Sequence, residues 1–77
     1  MKSLQNPKYR RLLEELAKAR KQANITQKEL AAALKKPQSY VSKYEGAERR
    51  IDVMELIDIC EVLNVDYKRI LDKVLKT

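Results

Sequence analysis

Residues 26–46 read Thr-Gln-Lys-Glu-Leu-Ala-Ala-Ala-Leu-Lys-Lys-Pro-Gln-Ser-Tyr-Val-Ser-Lys-Tyr-Glu-Gly, and the punctuation of this stretch decides the fold. Thr26 with Glu29 three places later predicts a capping box, in which the hydroxyl takes one free backbone N–H and the carboxylate takes another. The helix so begun runs from Gln27 to Leu34. Lys35-Lys36-Pro37 stops it, because the residue before a proline is pushed out of the helical region. A second short helix then runs from Gln38 to Glu45 and ends at Gly46. Two helices this short and this close in sequence must cross steeply. Leu30, Ala31 and Leu34 face inward; Ala31 is the small residue at their approach, and Leu34, Val41 and Tyr44 are the apolar anchors beneath them. Gln38, Ser39, Tyr40, Ser42 and Lys43 are left over, and most of these must face outward.

Three more helices flank this unit. Asn6 and Pro7 open the first, where an N-cap amide and a proline at the first helical position are both favourable. It extends to about Ala23 with Tyr9, Leu12, Leu13, Leu16, Ala19 and Ala23 at helical spacing, and Asn24 stops it in a left-handed conformation. Lys8, Arg10, Arg11, Lys18 and Lys21 fall on its solvent side. The fourth helix runs from Val53 to Leu63, capped by Asp52 with Glu55 in a second box. Its main apolar face reads Val53, Leu56, Ile57, Cys60 and Leu63. Met54, Ile59 and Val62 add apolar surface beyond one stripe, which is either further core or a seam with another chain. Asn64 stops this helix, and a fifth runs from Tyr67 to about Leu75. The fold expected is all-α: a compact five-helix, single-domain chain with no internal linker.

Composition narrows the function. The 77 residues contain no His and one Cys, so neither an intrachain disulfide nor a Cys/His zinc site can form, and His-dependent nucleophilic catalysis is excluded. No metal, cofactor or small-molecule site is evident, and an enzyme is not expected. No apolar run approaches the ~18 residues of a membrane span, and no signal-peptide pattern follows the Lys-containing start. Cys60, among apolar neighbours, reads as a small core residue rather than a redox sensor. The single thiol suits a reducing, cytoplasmic setting.

Charge is segregated along the chain. Residues 1–50 carry 13 basic and 5 acidic side chains, and residues 51–77 carry 4 and 6, giving +8 and −2 within the net +6. A basic body with a mildly acidic C-terminal third suggests a polyanion on one side and a protein contact on the other. The 26–46 unit has helix-turn-helix spacing, and Gln38, Ser39 and Lys43 are types that read base edges of double-stranded DNA. Lys35, Lys36, Arg49 and Arg50 flank the second helix and read as phosphate clamps that set register without reading sequence. Tyr40 either approaches sugar and phosphate or shields the turn.

Thr26-Gln27-Lys28-Glu29-Leu30-Ala31, followed by Gln38-Ser39-Tyr40-Val41-Ser42-Lys43-Tyr44-Glu45 and Glu48-Arg49-Arg50, resembles the phage-repressor/Cro-type (Xre-type) DNA-binding family. The resemblance covers about residues 9 to 71. It implies a lambda-repressor-like domain whose helix from Gln38 enters the major groove, with Gln27 touching a phosphate or a base. It also implies a structural ion pair between Arg20 of the first helix and Glu45. Two positions depart from the family pattern. Lys35 stands where the family usually has Gly, at a cost of about 1 kcal/mol if the left-handed turn is kept. Gly46-Ala47 places the glycine one residue early, so the loop carrying Arg49 and Arg50 is expected to leave the helix differently.

One short recognition helix gives too few contacts for useful selectivity, so a homodimer reading an inverted repeat is expected, with dimerisation through residues 51–77. The function expected is that of a sequence-specific transcriptional regulator of double-stranded DNA, acting as a dimeric repressor. The alternative is an antitoxin or protein-interaction adaptor that uses the same fold to hold a protein.

Overall fold

A computed structural model describes residues 6–76. The expectation about the extreme N-terminal start falls outside that range. Five helices follow in order: α1 (Pro7–Gln22), α2 (Gln27–Ala33), α3 (Gln38–Glu45), α4 (Val53–Leu63) and α5 (Tyr67–Leu75). No strand occurs among the described residues. The helices expected from sequence are all present, and α1 and α2 each end one residue sooner, at caps Ala23 and Leu34.

The starts are fixed by side chains. Asn6 accepts hydrogen bonds from the amides of Lys8 and Tyr9, and Asp66 accepts from that of Lys68. Thr26–Glu29 and Asp52–Glu55 close both halves of their capping boxes. Each such cap is worth about 1 kcal/mol. Only α3 lacks a side-chain cap, since Pro37 holds its N-cap position.

The ends share one motif. After α1, α2, α3 and α4 a residue takes positive φ: Asn24, Lys35, Ala47 and Asn64, all between 57° and 60°. In each case the amide of the next residue reaches back five positions: Ile25 to Arg20, Lys36 to Ala31, Glu48 to Lys43 and Val65 to Cys60. This satisfies carbonyls that a helix end otherwise leaves bare. Asn tolerates the left-handed region, but Lys35 and Ala47 sit there against their preference. The one glycine does not: Gly46 has φ −84°. A Cβ at that position would lie 3.1 Å from the Ser42 carbonyl oxygen, so Gly46 relieves crowding rather than supplying the turn. The loop after α3 therefore keeps the left-handed exit, carried by Ala47, instead of taking another path.

The core gathers where all five helices meet. α2 packs on α3, α1 on both α3 and α5, and α4 on α2. Leu16, Leu30, Val41, Tyr44 and Ile59 are wholly buried. Each such apolar side chain contributes roughly 1.5–3 kcal/mol by leaving water. On α4 the buried face is Leu56, Ile59, Cys60 and Leu63. This corrects the expected stripe at two places: Val53 is 69% exposed, and Ile59 is core. Ile57 and Val62 are half-buried, so Ile59 is removed from any seam with another chain and Met54, 63% exposed, stays available. Ala23, expected on the α1 stripe, is exposed at the cap.

Candidate nucleic-acid interface

α3 has two faces because its apolar residues recur at helical spacing. Val41 and Tyr44 point into the core with no exposure, and Tyr40 joins them at 8%. Gln38, Ser39, Ser42 and Lys43 are exposed and form the opposite strip. Among the described residues none of Gln38, Ser39 and Lys43 has a side-chain hydrogen bond or ion pair, so their polar groups are free for a partner. Ser42 differs, for its hydroxyl donates to the Ser39 carbonyl at 3.3 Å.

Tyr40 is buried, unlike the other four residues left over from the apolar pair of α3. Its ring meets Tyr44 edge-on at 5.7 Å between centroids. The Arg49 guanidinium lies 4.7 Å from the Tyr40 ring centre, and the Lys36 ammonium lies 5.3 Å from it. Burial pushes the Tyr40 hydroxyl up to about 12. Of the two roles open for this residue, the packing supports shielding of the turn.

What holds α3 in place is a small ionic network. Arg20 Nε and Nη2 donate to the two carboxylate oxygens of Glu45 at 2.8 and 3.2 Å, and Nη1 donates to the Ile25 carbonyl at 2.8 Å. Both side chains are about nine-tenths buried. The hydrogen bonds that Arg20 donates to Glu45 raise the pKa of its guanidinium above the ordinary value. Gln27 Nε2 donates to the same Glu45 oxygen that accepts Arg20 Nη2, at 2.9 Å. One carboxylate thus ties α1, the start of α2 and the end of α3 together. A second N–H of the Gln27 amide is left to donate elsewhere.

The flanking cations divide into bound and free. Lys35 is exposed and unpaired among the described residues, at the entry to α3. Lys36 is exposed but lies over Tyr40. Arg49 is held by both carboxylate oxygens of Glu55, at 3.3 and 3.0 Å, and by the Arg50 carbonyl at 2.8 Å. That bond raises the Arg49 pKa and lowers the Glu55 pKa below the usual carboxylate range. Arg49 therefore serves as a strap for the α3–α4 loop, and Arg50 is the exposed cation of the pair.

Two features escaped the sequence reading. Tyr9 clamps the same loop, donating to the Arg49 carbonyl at 3.2 Å and accepting from the Ile51 amide at 3.0 Å. Glu15, 4% exposed, is paired with Arg11 at 2.8 Å and lies 3.8 Å from Lys73. Its place between Leu12 and Ala19 on α1 was the available signal. Ser42 belongs to the exposed strip of α3, as its spacing from Gln38 and Ser39 allows.

Among the described residues the large apolar side chains left exposed are Val53, Met54, Tyr67 and Leu75, all away from α3. Val53 and Tyr67 border a groove of about 260 Å³ floored by Leu12, Ile51, Leu56 and Leu71, with Arg50 at its edge. Among the described residues no cluster of His, Cys, Asp or Glu could hold a metal ion. Among the described residues no helix is long and apolar enough to cross a membrane. Cys60 is 1% exposed, and burial pushes its thiol up to about 11.

Comparison with known proteins agrees with this geometry. A family described as Helix-turn-helix matches residues 16–70. A solved structure, described as an XRE-family like protein from Pseudomonas syringae pv. tomato str. DC3000, is 49% identical and superposes with a TM-score of 0.88. The match covers 97% of this chain and 92% of that one. No curated protein matches.

Proposed function

The chain belongs to the Xre-type (Cro/C1-type) helix-turn-helix family, and from that premise we propose that it is a sequence-specific, double-stranded DNA-binding transcriptional regulator that acts as a homodimeric repressor in the cytoplasm. The observation that carries the reading is the two-faced α3: Val41 and Tyr44 are anchored without exposure while Gln38, Ser39 and Lys43 stand free. A rod presented in this way fits the major groove, and its free groups are a donor–acceptor amide, a hydroxyl and an ammonium. The start of α3 has no side-chain cap and follows directly on Lys35 and Lys36, which favours an anionic group at that end. Lys35, Lys36, Arg50 and the second N–H of Gln27 supply backbone contacts, and Arg49 acts through the loop it straps.

Dimerisation through residues 51–77 is supported by the exposed Val53, Met54, Tyr67 and Leu75 on α4 and α5. Size fits as well. The chain measures 29 × 25 × 20 Å, a size comparable with the ~34 Å between successive major-groove faces that a twofold dimer would read.

The test is a binding-site selection from random duplex DNA at two salt concentrations, paired with sedimentation equilibrium. The account expects an inverted repeat, a dimer, and affinity that falls steeply with salt because phosphate contacts release counterions. Loss of any sequence enrichment at low salt refutes the readout. Co-purification of a stoichiometric unrelated protein bound at Val53 and Met54 would assign that face to the antitoxin or adaptor reading.

A further inference from the structure

We propose that Ser42 is a base-reading position of α3 with a fixed polarity: it selects an amino-bearing base, adenine or cytosine, over a keto base on the strand it faces. The proposal rests on the reading of α3 as the DNA-facing helix and adds the chemistry of one position in the half-site.

Ser42 lies four residues from Gln38 and three from Ser39, so it sits in the middle of the exposed strip. A serine hydroxyl has one proton. In Ser42 that proton goes to the Ser39 carbonyl at 3.3 Å, a back-bond that serine and threonine make within helices. What remains to face outward is the oxygen's lone-pair side, an acceptor. In the major groove adenine N6 and cytosine N4 donate, while guanine O6 and thymine O4 accept. Ser42 is therefore matched to the first two and set lone pair against lone pair with the others.

Its neighbours are of other kinds. Ser39 has no side-chain hydrogen bond among the described residues, so its hydroxyl turns to suit either edge and selects little. Lys43, likewise unpaired, is donor-only and is matched to guanine O6 and N7 or thymine O4. Adjacent residues on one strip thus carry opposite demands, which gives the half-site an amino-selecting column beside a keto-selecting one.

The experiment compares the sites selected from random duplexes by the wild-type chain and by Ser42→Ala. Alanine is the strongest helix former, so the variant keeps α3, and circular dichroism checks this. Wild-type protein is expected to show one column per half-site in which adenine and cytosine together exceed guanine and thymine about five- to tenfold, the value of one neutral hydrogen bond. In Ser42→Ala that column flattens or moves to thymine, whose methyl group packs on an alanine methyl, and the other columns stay. A second arm uses the wild-type site with the amino group of that base deleted: binding weakens for the wild type and is unchanged for the variant. An unchanged column in Ser42→Ala, or a keto-rich column that depends on Ser42, overturns the proposal. Absence of enrichment with either protein overturns the underlying reading of α3, and the proposal with it.

Discussion

Lys35 carries a stability cost that the structure allows to be worked out. Its φ of 59° places an L-residue in the left-handed region, at roughly 1–2 kcal/mol relative to the right-handed one. Glycine pays no such cost but gains about 0.4–1 kcal/mol of unfolded-state entropy, which offsets part of the relief. Lys35 is exposed and unpaired among the described residues, so its removal loses no packing. Lys35→Gly should therefore stabilise the fold by about 0.5–1 kcal/mol, and the melting temperature should rise by about 2–8 °C. The same substitution removes a cation at the entry to α3. The slope of log affinity against log salt should fall by about one for each subunit bound. Lys35→Ala separates the two effects, because it loses the charge and keeps the strained backbone. Urea unfolding and a salt titration of DNA binding measure both. If Lys35→Gly melts no higher than wild type, the left-handed turn is not a strain and the argument is wrong. Ala47→Gly should gain less, because the Ala47 methyl group packs against the core.

Arg20→Met should cost about 3–5 kcal/mol in urea unfolding, since it strands the nearly buried Glu45 carboxylate, and the paired change Arg20→Met with Glu45→Leu should recover much of it. Tyr44→Phe should raise stability by about 1 kcal/mol, because the Tyr44 hydroxyl is buried with no partner among the described residues. Stability should be lost at alkaline pH: burial raises Cys60 from 9.0 to about 11 and Tyr40 from 10.0 to about 12, so the folded chain holds protons that the unfolded chain releases, and melting should fall between pH 9 and 12. Cys60→Ala should remove the lower part of that fall.

The sequence made the helices legible because their ends are marked by chemistry that acts over three or four residues. Thr26–Glu29 and Asp52–Glu55 cap as expected, and Asn24 and Asn64 terminate with positive φ. The strip of α3 was legible too, since Val41 and Tyr44 fix which side faces in. What periodicity could not choose was the face of α4. Apolar residues surround that helix, so two stripes were open, and only packing against α1, α2 and α5 selects Ile59 over Val53. Tyr40 was left open between two roles for a related reason. A tyrosine suits either side of a helix, and the residue that covers it, Arg49, comes from a loop nine positions on. The Tyr9 clamp on that loop joins residues 40 and 42 apart in sequence, and no local pattern announces it. The fate of Arg49 follows from Glu55, whose carboxylate was already assigned to a capping box and serves both tasks.

The central claim is that the outward side chains of α3 choose the DNA sequence. Parallel binding-site selections with wild type, Gln38→Ala and Lys43→Ala measure this directly. Each variant should relax a different base pair of the half-site by about 1–3 kcal/mol and leave the remaining columns as they were. Recovery of one and the same site by all three proteins would contradict the account.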